Sequence, residues 1–530
     1  MPAKLNSAPE VTSILETGTE DWPVLLPDLL HSAARQSGGS GGAVCGTDRR
    51  TYAEIDLWSE RLGRALIRCG VRPGDRVVTV LPNCLEFLTA AFGVWKARGV
   101  FVPEYTGIPP VTLGRILADA RPTALIVDRS VAERLEEIRD VLVGVGVRTI
   151  LVRERPPELS AIHSIAVESL DAILESDEES EISLPTKGSR HDIASITYTS
   201  GSTGTPKGVM HSHESWLAAA EFTRDFLRLS EHDAVVIPLP LHHALTFRHI
   251  LAYLLAQASI VITADIYQAL KSLRELRPTA LLLVPAACHI AIDHFASVLR
   301  EAMSHLRYVE IGSAATTPER LRQLRDLLPR TAIHVPYGLT EARVAYLRPG
   351  RGGLCNRINC TSPGLSVGIV HPDGSPVAPG ETGEILIQGR GLMVGYWAEG
   401  RPEDPLPARG FRTGDVGRLD YNGDVDLLGR LDEVLKIGGR KVNPAELELV
   451  LTRHPDVREA AVVGGPDPNN ILENVLHAFV VPRRDATLRL ADLMAHCRHQ
   501  LESYKVPVQI HIRPSLPKSS VGKLLRSLLV

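Results

Sequence analysis

Helical and extended hydrophobic patterns alternate along most of the chain. Apolar residues recur at helical spacing at 55–69 and 85–97, and short apolar runs occur at 76–80 and 124–127. A period of 3.6 residues predicts amphipathic helices, and short apolar runs bounded by turn residues predict buried strands. Their alternation is typical of an α/β fold. We therefore predict a large α/β domain, built from several subdomains, over residues 1–431.

The pattern changes in the remaining part of the chain. An alternating stretch at 416–429 contains the dipeptide Asn422-Gly423, which favours a two-residue hairpin turn. The run NPAE at 443–446 is a good helix start, because it supplies an N-cap Asn, a Pro at the first helical position and a Glu at the third. Two apolar strands and an amphipathic helix follow at 460–463, 478–481 and 490–501. We predict a smaller α/β domain at 432–530.

Composition and charge narrow the classes of function. The 530 residues are 44% hydrophobic and 23% charged with a net charge of −4, as in soluble globular proteins that handle small molecules. Such a chain has no basic field for a nucleic-acid backbone, so we expect no nucleic-acid partner. No apolar run reaches the roughly 18 residues of a membrane span. Residues 1–20 lack a signal-peptide pattern, and the seven cysteines are scattered, which together favour a cytoplasmic protein with reduced thiols.

A segment rich in glycine and hydroxyl residues carries the strongest chemical signal. Residues 198–208 read YTSGSTGTPKG, after an apolar strand at 193–197 and before a predicted helix at 215–226. Glycines let backbone N–H groups approach a polyanion, hydroxyls add donors, and lysine supplies a positive charge. The Walker pattern GxxxxGK[ST] is absent. A flexible surface loop is the alternative, and the flanking strand and helix favour phosphate binding over it.

The same segment resembles the phosphate-binding signature of the adenylate-forming superfamily, which includes acyl-CoA synthetases, luciferases and the adenylation domains of peptide synthetases. Further motifs similar to those of the family follow in its order: GSA at 312–314, YGLTE at 337–341, TGD at 413–415, GRLD at 429–432 and a lysine motif at 516–523. Residues 51–54 and 95–103 resemble its early structural motifs. Each motif alone has an ordinary structural explanation, but their order over nearly the whole chain identifies a member of this family.

The resemblance implies a role for each motif. The phosphate-binding residues are Thr199, Ser200, Gly201, Ser202, Thr203, Gly204 and Lys207. The adenine and ribose are expected at Gly312, Ser313, Ala314, Tyr337, Gly338, Asp415 and Arg430. Thr340 contacts the phosphate, Glu341 binds Mg²⁺, and Lys523 bridges the substrate carboxylate and the α-phosphate. These types suit the chemistry, since an aromatic ring packs on a base and a carboxylate binds a hard cation.

The family's reaction gives an expectation for the whole chain. ATP and a small carboxylic acid form an acyl-AMP with release of pyrophosphate, and the acyl group then passes to a thiol. Coenzyme A is the first expectation for that thiol, with carrier-protein phosphopantetheine or an amine acceptor as alternatives. The resemblance implies that the small domain is mobile, with a hinge at Asp432 that withdraws Lys523 and brings Gly438-Gly439 to the site. A non-catalytic scaffold of the same fold is a further alternative.

The acid is less well specified. The run PLPLHHAL at 238–245 contains no acidic residue that could bind an α-amine, and Ala244 stands where ligases for 2-hydroxybenzoates have Asn. A plain alkyl or aryl carboxylate is therefore expected, closed over by His243 beside His242, although the histidine pair could form a structural turn. Arg343 could recognise a second carboxylate or a polar ring substituent. It could equally pair with a surface acid.

Overall fold

A computed structural model describes residues 25–529, apart from several short stretches. The undescribed stretches are 37–40, 157–158, 160, 163–164, 177–180, 201–205, 314–315, 317, 350–354, 362–363, 399–400, 403–409, 432, 434, 438–439, 443, 466–474, 484–485, 487 and 519–523.

The α-helices of the described residues alternate with strands along most of the chain. They are α1 Leu26–Gln36, α2 Tyr52–Arg68, α3 Leu85–Lys96, α4 Pro110–Ala120, α5 Arg129–Ala132, α6 Arg139–Gly144, α7 Leu170–Glu175, α8 His213–Leu227, α9 Ala244–Leu255, α10 Ile266–Glu275, α11 Pro285–Ala302, α12 Pro318–Leu327, α13 Pro444–Thr452 and α14 Leu490–Gln500. Short 3₁₀ turns lie at Leu135–Ile138, Ser503–Lys505 and Arg526–Leu528.

The strands of the described part of the chain form two large sheets and two small ones. They are β1 Gly42–Cys45, β2 Asp48–Thr51, β3 Arg76–Val80, β4 Val100–Glu104, β5 Ala124–Asp128, β6 Thr149–Arg153, β7 Ala161–Ile162, β8 Ile165–Ser169, β9 Ile193–Ser200, β10 Pro206–Ser212, β11 Ala234–Ile237, β12 Ser259–Ile262, β13 Ala280–Leu283, β14 Tyr308–Ile311, β15 Ala332–Gly338, β16 Arg343–Pro349, β17 Cys355–Thr361, β18 Leu365–Val370, β19 Thr382–Gly389, β20 Gly395–Ala398, β21 Arg401–Pro402, β22 Phe411–Leu419, β23 Val425–Arg430, β24 Leu435–Ile437, β25 Arg440–Val442, β26 Val457–Gly465, β27 Val475–Pro482 and β28 Gln509–Ile512.

Each large sheet has a parallel centre extended by antiparallel strands. One has the order β21-β20-β10-β9-β4-β3-β5-β6-β8-β7, and the other has the order β18-β19-β22-β23-β17-β16-β15-β14-β13-β11-β12-β1-β2. In the first, β3 is parallel to both β4 and β5. In the second, β13 is parallel to β11 and β14. The predicted α/β class is confirmed.

Buried helices with aromatic side chains join the two sheets. Phe87 and Trp95 on α3 and Phe247 on α9 are almost fully buried and belong to one apolar cluster that draws on both sheets. Phe247 packs against Trp95 at a ring distance of 5.7 Å and against Phe101 of β4 at 5.9 Å. Burying apolar area of this size is the main force that holds the sheets together. The helix α9, which follows the histidine pair, is thereby fixed in the core.

The start of α2 shows how a local sequence motif sets the fold. Thr51 is the N-cap, its side chain accepts a hydrogen bond from Glu54 N at 3.2 Å, and Glu54 Oε2 accepts one from Thr51 N at 2.7 Å. This capping box satisfies two backbone donors that the first helical turn leaves open. The next residue, Tyr52, is fully buried and donates a hydrogen bond to Ala258 O, ahead of β12. The early motif is therefore structural.

The C-terminal unit has its own small core. The strand β26 pairs antiparallel with β27, β27 pairs parallel with β28, and α13 and α14 pack beside them. The predicted hairpin is confirmed as β22 and β23, with Gly423 at φ +86° in the turn. The helix predicted after residue 443 is α13, and the later strands and helix lie within β26, β27 and α14. The fold therefore comprises a large α/β domain and a smaller C-terminal one, while the boundary at 432 stays a prediction.

Candidate active site

The phosphate segment connects two antiparallel strands. β9 pairs with β10 so that Ser200 lies opposite Pro206 and Thr199 opposite Lys207. The helix predicted at 215–226 is confirmed as α8, while the strand β10 between the phosphate segment and this helix was not predicted. β10 begins at Pro206, and its small and apolar residues form a strand of the sheet. Gly201, Ser202, Thr203 and Gly204 lie outside the described residues, as does the side chain of Ser200.

The base of this hairpin is held by a part-buried hydrogen bond to α4. Tyr198 on β9 donates to Asp119 Oδ2 on α4 at 2.5 Å, and Trp397 Nε1 on β20 donates to Asp119 O at 3.1 Å. Burial raises the pKa of the Tyr198 hydroxyl, and the hydrogen bond to Asp119 raises it further. The phenol therefore stays neutral and acts as a donor. The strands β9 and β20, which pair with β10 on its two sides, are thus both anchored to α4.

The predicted ribose residues form one connected group. The Tyr337 hydroxyl, at the end of β15, donates to Asp415 Oδ2 at 2.6 Å, and Arg430 Nη1 donates to Asp415 Oδ1 at 3.0 Å. Asp415 and Arg430 face each other in the register of β22 and β23. Gly414 has φ +72°, and a Cβ there would lie 2.9 Å from the Arg430 guanidinium. Both oxygens of this buried carboxylate are therefore oriented, from two sides.

The segment Leu339–Ala342 forms a tight turn between β15 and β16. Leu339 N donates to Ala342 O at 2.8 Å. His211 Nε2, at the end of β10, donates to Thr340 O at 2.8 Å. Burial lowers the pKa of His211 to about 4, so the ring is neutral at physiological pH. Thr340 is thereby tied to the strand that follows the phosphate segment.

Glu341 is held by a residue that the sequence prediction missed. Tyr396 on β20 donates a hydrogen bond to Glu341 Oε1 at 3.0 Å, and Met393 N donates to Glu341 O at 2.8 Å. The Lys207 ammonium lies 5.7 Å from the centre of the Tyr396 ring. Many helices and strands lie between Lys207 and Tyr396 in the sequence, so no local sequence pattern could connect the two residues. The GYW run at 395–397 is the only signal in the sequence.

The geometry at Glu341 fits a magnesium ion shared with a nucleotide. Its Oε2 makes no hydrogen bond to the described part of the chain, and no group of three or more His, Cys, Asp or Glu side chains there could hold a metal alone. Mg²⁺ is commonly bound by one or two carboxylates together with phosphate oxygens and water. A single oriented carboxylate beside a phosphate segment matches that donor set.

The histidine pair lies at the start of α9. His243 is the N-cap residue without a side-chain capping bond, its ring lies 4.3 Å from that of His242, and Tyr105 stacks on His242 at 5.4 Å. Burial lowers the pKa of His242 to about 3 and that of His243 to about 4. Both imidazole rings are therefore neutral at physiological pH. Ala244 is buried in the first turn of α9.

Gly312 connects this region to the nucleotide residues. A Cβ at Gly312 would lie 2.7 Å from Leu245 Cδ2 on α9 and 3.0 Å from Pro336 Cγ on β15. A side chain at position 312 would push α9 and β15 apart, which explains why the residue there is glycine. Ser313 follows with φ +70°. The predicted adenine turn therefore lies between the histidine pair and Tyr337.

Some of the predicted residues fall in the undescribed stretches. Ala314, Asp432, Gly438-Gly439 and Lys523 lie outside the described residues, and Arg343 is described only by its backbone, which pairs with Gly338. The described predicted residues form three linked groups around Asp415, Glu341 and Gly312. These groups are joined through β15 and its turn.

Comparisons with known proteins agree with this geometry. Residues 30–397 match the family described as AMP-binding enzyme, and residues 446–523 match the AMP-binding enzyme C-terminal domain. Feruloyl-CoA synthase from Amycolatopsis sp is 30% identical over 522 residues, which cover 96% of this chain and 98% of that protein.

Two further proteins are similar over nearly their whole length. The 3-[(3aS,4S,7aS)-7a-methyl-1,5-dioxo-octahydro-1H-inden-4-yl]propanoyl:CoA ligase of Rhodococcus jostii (strain RHA1) is 29% identical over 530 residues, with 96% of this chain and 99% of that protein covered. The solved structure of the amide bond synthetase McbA from Marinactinospora thermotolerans has a TM-score of 0.81 and 26% identity, and the match covers 95% of this chain and 99% of that one.

Proposed function

The chain belongs to the adenylate-forming superfamily of AMP-binding enzymes, and from this premise we propose that it is an AMP-forming acyl-CoA ligase. A carboxylate oxygen of a small acid attacks the α-phosphorus of ATP, and the bond to pyrophosphate breaks. The thiol sulfur of coenzyme A then attacks the acyl carbon, and AMP leaves. The net products are an acyl thioester, AMP and pyrophosphate.

One observation carries this proposal. The oriented carboxylate of Asp415, between Tyr337 and Arg430, and the group formed by Lys207, Tyr396 and Glu341 occur in one structure. The first group offers acceptors to ribose hydroxyls, and the second offers a cation and a metal ligand to a polyphosphate. An enzyme that activates an acid with ATP needs both.

The first step is limited by electrostatic repulsion, because an anion attacks an anion. We propose that Lys523 neutralises this encounter at the α-phosphate. Lys207 and the Thr340 hydroxyl, with the loop 201–204, take up charge on the phosphates. Glu341 would hold Mg²⁺, and the ion would supply further positive charge near the phosphates. Asp432 is the proposed hinge of the C-terminal domain. Rotation about it would withdraw Lys523 from the active site and bring Gly438-Gly439 there before the thiol attacks.

The acid that fits is an alkyl or aryl carboxylate. The neutral rings of His242 and His243 and the apolar contact between Leu245 and Gly312 offer no counter-charge to an amine. The names of the related feruloyl-CoA synthase and indane-propanoyl ligase agree with a ring-bearing acid and a CoA acceptor. The cysteines whose side chains the structure describes are free thiols, as expected in the reducing cytoplasm where ATP and CoA are available.

The test separates the two half-reactions. Pyrophosphate release is measured with a panel of alkyl, aryl and amino acids, with and without CoA, and thioester formation is followed by mass spectrometry. We expect pyrophosphate release with at least one aryl or alkyl acid and a CoA thioester as product. Release that depends on a carrier protein or an amine instead of CoA would move the assignment to those acceptors. Absence of turnover with every acid would contradict the proposal.

Lys523 offers a sharper version of the experiment. Lys523→Ala should reduce acid-dependent ATP–pyrophosphate exchange by roughly 100-fold or more, as expected for loss of a preorganised charge, and leave thioester formation from supplied acyl-AMP within a fewfold. Lys518→Ala is the matched control, because Lys518 pairs with Glu459 at 2.5 Å on the same C-terminal segment. Equal losses in both variants would contradict the assignment of Lys523.

A further inference from the structure

Tyr396 lies between the two charged side chains of the phosphate region. It is on β20, opposite Val209 of β10, so its strand runs beside the one that carries Lys207. Its hydroxyl donates to Glu341 Oε1 at 3.0 Å, and the Lys207 ammonium lies 5.7 Å from its ring centre. One neutral side chain thus contacts both the lysine and the carboxylate that the phosphate site uses.

The hydroxyl determines how the carboxylate is presented. A hydrogen bond on Oε1 fixes the rotation of the Glu341 side chain, and Oε2 is left without a donor from the described residues. A divalent ion bound between this carboxylate and phosphate oxygens requires such a fixed direction. Met393 N holds the backbone of the same residue at 2.8 Å. Backbone and side chain of Glu341 are therefore held by one short segment, 393–396.

The ring determines where the lysine is held. A lysine side chain is flexible, and an ammonium that faces an aromatic ring is attracted by the negative face of that ring. Across the described residues, neither Lys207 nor Glu341 has an ion-pair partner, although they have opposite charges and share Tyr396 as a neighbour. The ring contacts the ammonium but does not neutralise its positive charge. An ion pair between Lys207 and Glu341 would neutralise it.

We propose that Tyr396 is a positioning residue, which aims Glu341 at the metal ion through its hydroxyl and keeps Lys207 available for the phosphates through its ring. This inference rests on the proposed function, because it assigns ATP and Mg²⁺ to the site. A purely structural tyrosine would act by packing alone. Tyr396 does border a small apolar cluster of Val209, Met393 and Phe411. Only the positioning role makes the metal dependence of nucleotide binding sensitive to the hydroxyl.

The experiment measures nucleotide binding at equilibrium rather than turnover. ATP is titrated calorimetrically into the full chain, once with Mg²⁺ and once with EDTA, for the unaltered protein, Tyr396→Phe, Tyr396→Leu and Glu341→Gln. Tyr396→Phe should raise the Kd in Mg²⁺ roughly tenfold and leave the Kd in EDTA within about twofold, because a hydrogen bond to a charged group is lost. Tyr396→Leu should also raise the Kd in EDTA by roughly threefold, through loss of the ring.

Two comparisons decide the outcome. Tyr267→Phe is the matched control, since Tyr267 is 58% exposed and outside the site, and it should change neither Kd. In the double variant Tyr396→Phe with Glu341→Gln, the Kd in Mg²⁺ should equal that of Glu341→Gln alone, because the hydroxyl acts through the carboxylate. The positioning role would be overturned if Tyr396→Phe changed the Kd for ATP equally in Mg²⁺ and in EDTA. It would also be overturned if the losses of ATP affinity in the double variant were additive. If Tyr396→Leu does not fold, the Phe variants decide alone. No ATP binding by the unaltered protein would overturn the proposed function and this inference with it.

Discussion

Asp415 shows how single side chains prepare the nucleotide site. The carboxylate is buried, and its oxygens accept hydrogen bonds from Tyr337 at 2.6 Å and from Arg430 at 3.0 Å. Burial raises the pKa of the Tyr337 hydroxyl, and the Asp415 charge raises it further. Tyr337 therefore remains a neutral donor over the physiological range. Because Asp415 is oriented before a ligand arrives, binding need not spend free energy on fixing it.

A phenylalanine at position 337 tests this orientation. Tyr337→Phe keeps the ring and removes the hydrogen bond to Asp415, so we expect the KM for ATP to rise roughly tenfold with kcat changed much less. The assay is initial-rate pyrophosphate release at several ATP concentrations. Tyr421→Phe is the control, since Tyr421 is 83% exposed. An unchanged KM in Tyr337→Phe would contradict a role of the Tyr337 hydroxyl in orienting Asp415.

At the scale of elements, the junction of β10 and α8 places two buried histidines beside the site. His211 contacts Thr340 O at 2.8 Å, and His213 Nδ1 accepts a hydrogen bond from Leu26 N at 3.3 Å. Burial lowers the pKa of each to about 4, mainly because a charged ring is poorly solvated there. Both rings are therefore neutral at physiological pH.

Acid should therefore destabilise this junction. A histidine with pKa about 4 when folded and about 6.5 when unfolded binds more protons in the unfolded state between these values. The free energy of unfolding is fully retained above about pH 6.5 and falls as the pH drops toward 4. From pH 7 to pH 5, we expect a loss of about 1–2 kcal/mol for each histidine.

Urea unfolding at pH 7, 6 and 5 measures the effect. His211→Gln keeps a donor for Thr340 O and removes the titrating ring, so its free energy of unfolding should fall by about 1–2 kcal/mol less over this range than that of the unaltered protein. His232→Gln serves as the control, because His232 is 87% exposed in its side chain. Parallel pH profiles for the unaltered protein and His211→Gln would contradict the assignment.

Elements with local signals could be predicted from the sequence, and those without could not. The Asn422-Gly423 turn and the helix that begins at Pro444 each depend on a few neighbouring residues, and the structure contains both elements. β10 was missed because its sequence, PKGVMHS, begins inside a motif interpreted as a loop. Its strand character comes from pairing with β9 and β20.

The same limit applies to the candidate site. Tyr337, Asp415 and Arg430 could be predicted because each lies in a family-like motif with its own composition. The structure places the three side chains in contact. Tyr396 was missed because its partners, Glu341 and Lys207, are distant in sequence. Contacts across sheets depend on strand order, which a single sequence does not contain. Motif composition can therefore identify the residue types of a site, while the side chains that orient them require the structure.

At the scale of the whole molecule, one charged pair joins the C-terminal unit to the large domain. Arg483, after β27, makes two hydrogen bonds to the carboxylate of Glu319 on α12. The hydrogen bond from Arg483 lowers the pKa of Glu319, and Glu319 raises the pKa of Arg483. Both side chains are about one-third exposed, so solvent screens the pair to roughly 1 kcal/mol or less. This contribution is small for stability but sufficient to bias the proposed equilibrium between domain arrangements.

Charge reversal tests whether the pair biases the reaction. Glu319→Arg and Arg483→Glu each place like charges together, so each should slow the half-reaction that uses this domain arrangement by roughly three- to tenfold, while the other half-reaction is unchanged or faster. ATP–pyrophosphate exchange and thioester formation from supplied acyl-AMP are measured separately at low salt. The double reversal restores opposite charges and should return the ratio of the two rates to within about twofold of the unaltered protein. High salt should reduce the differences among the variants. If both single reversals leave the ratio unchanged, or the double reversal fails to restore it, the pair has no part in domain alternation.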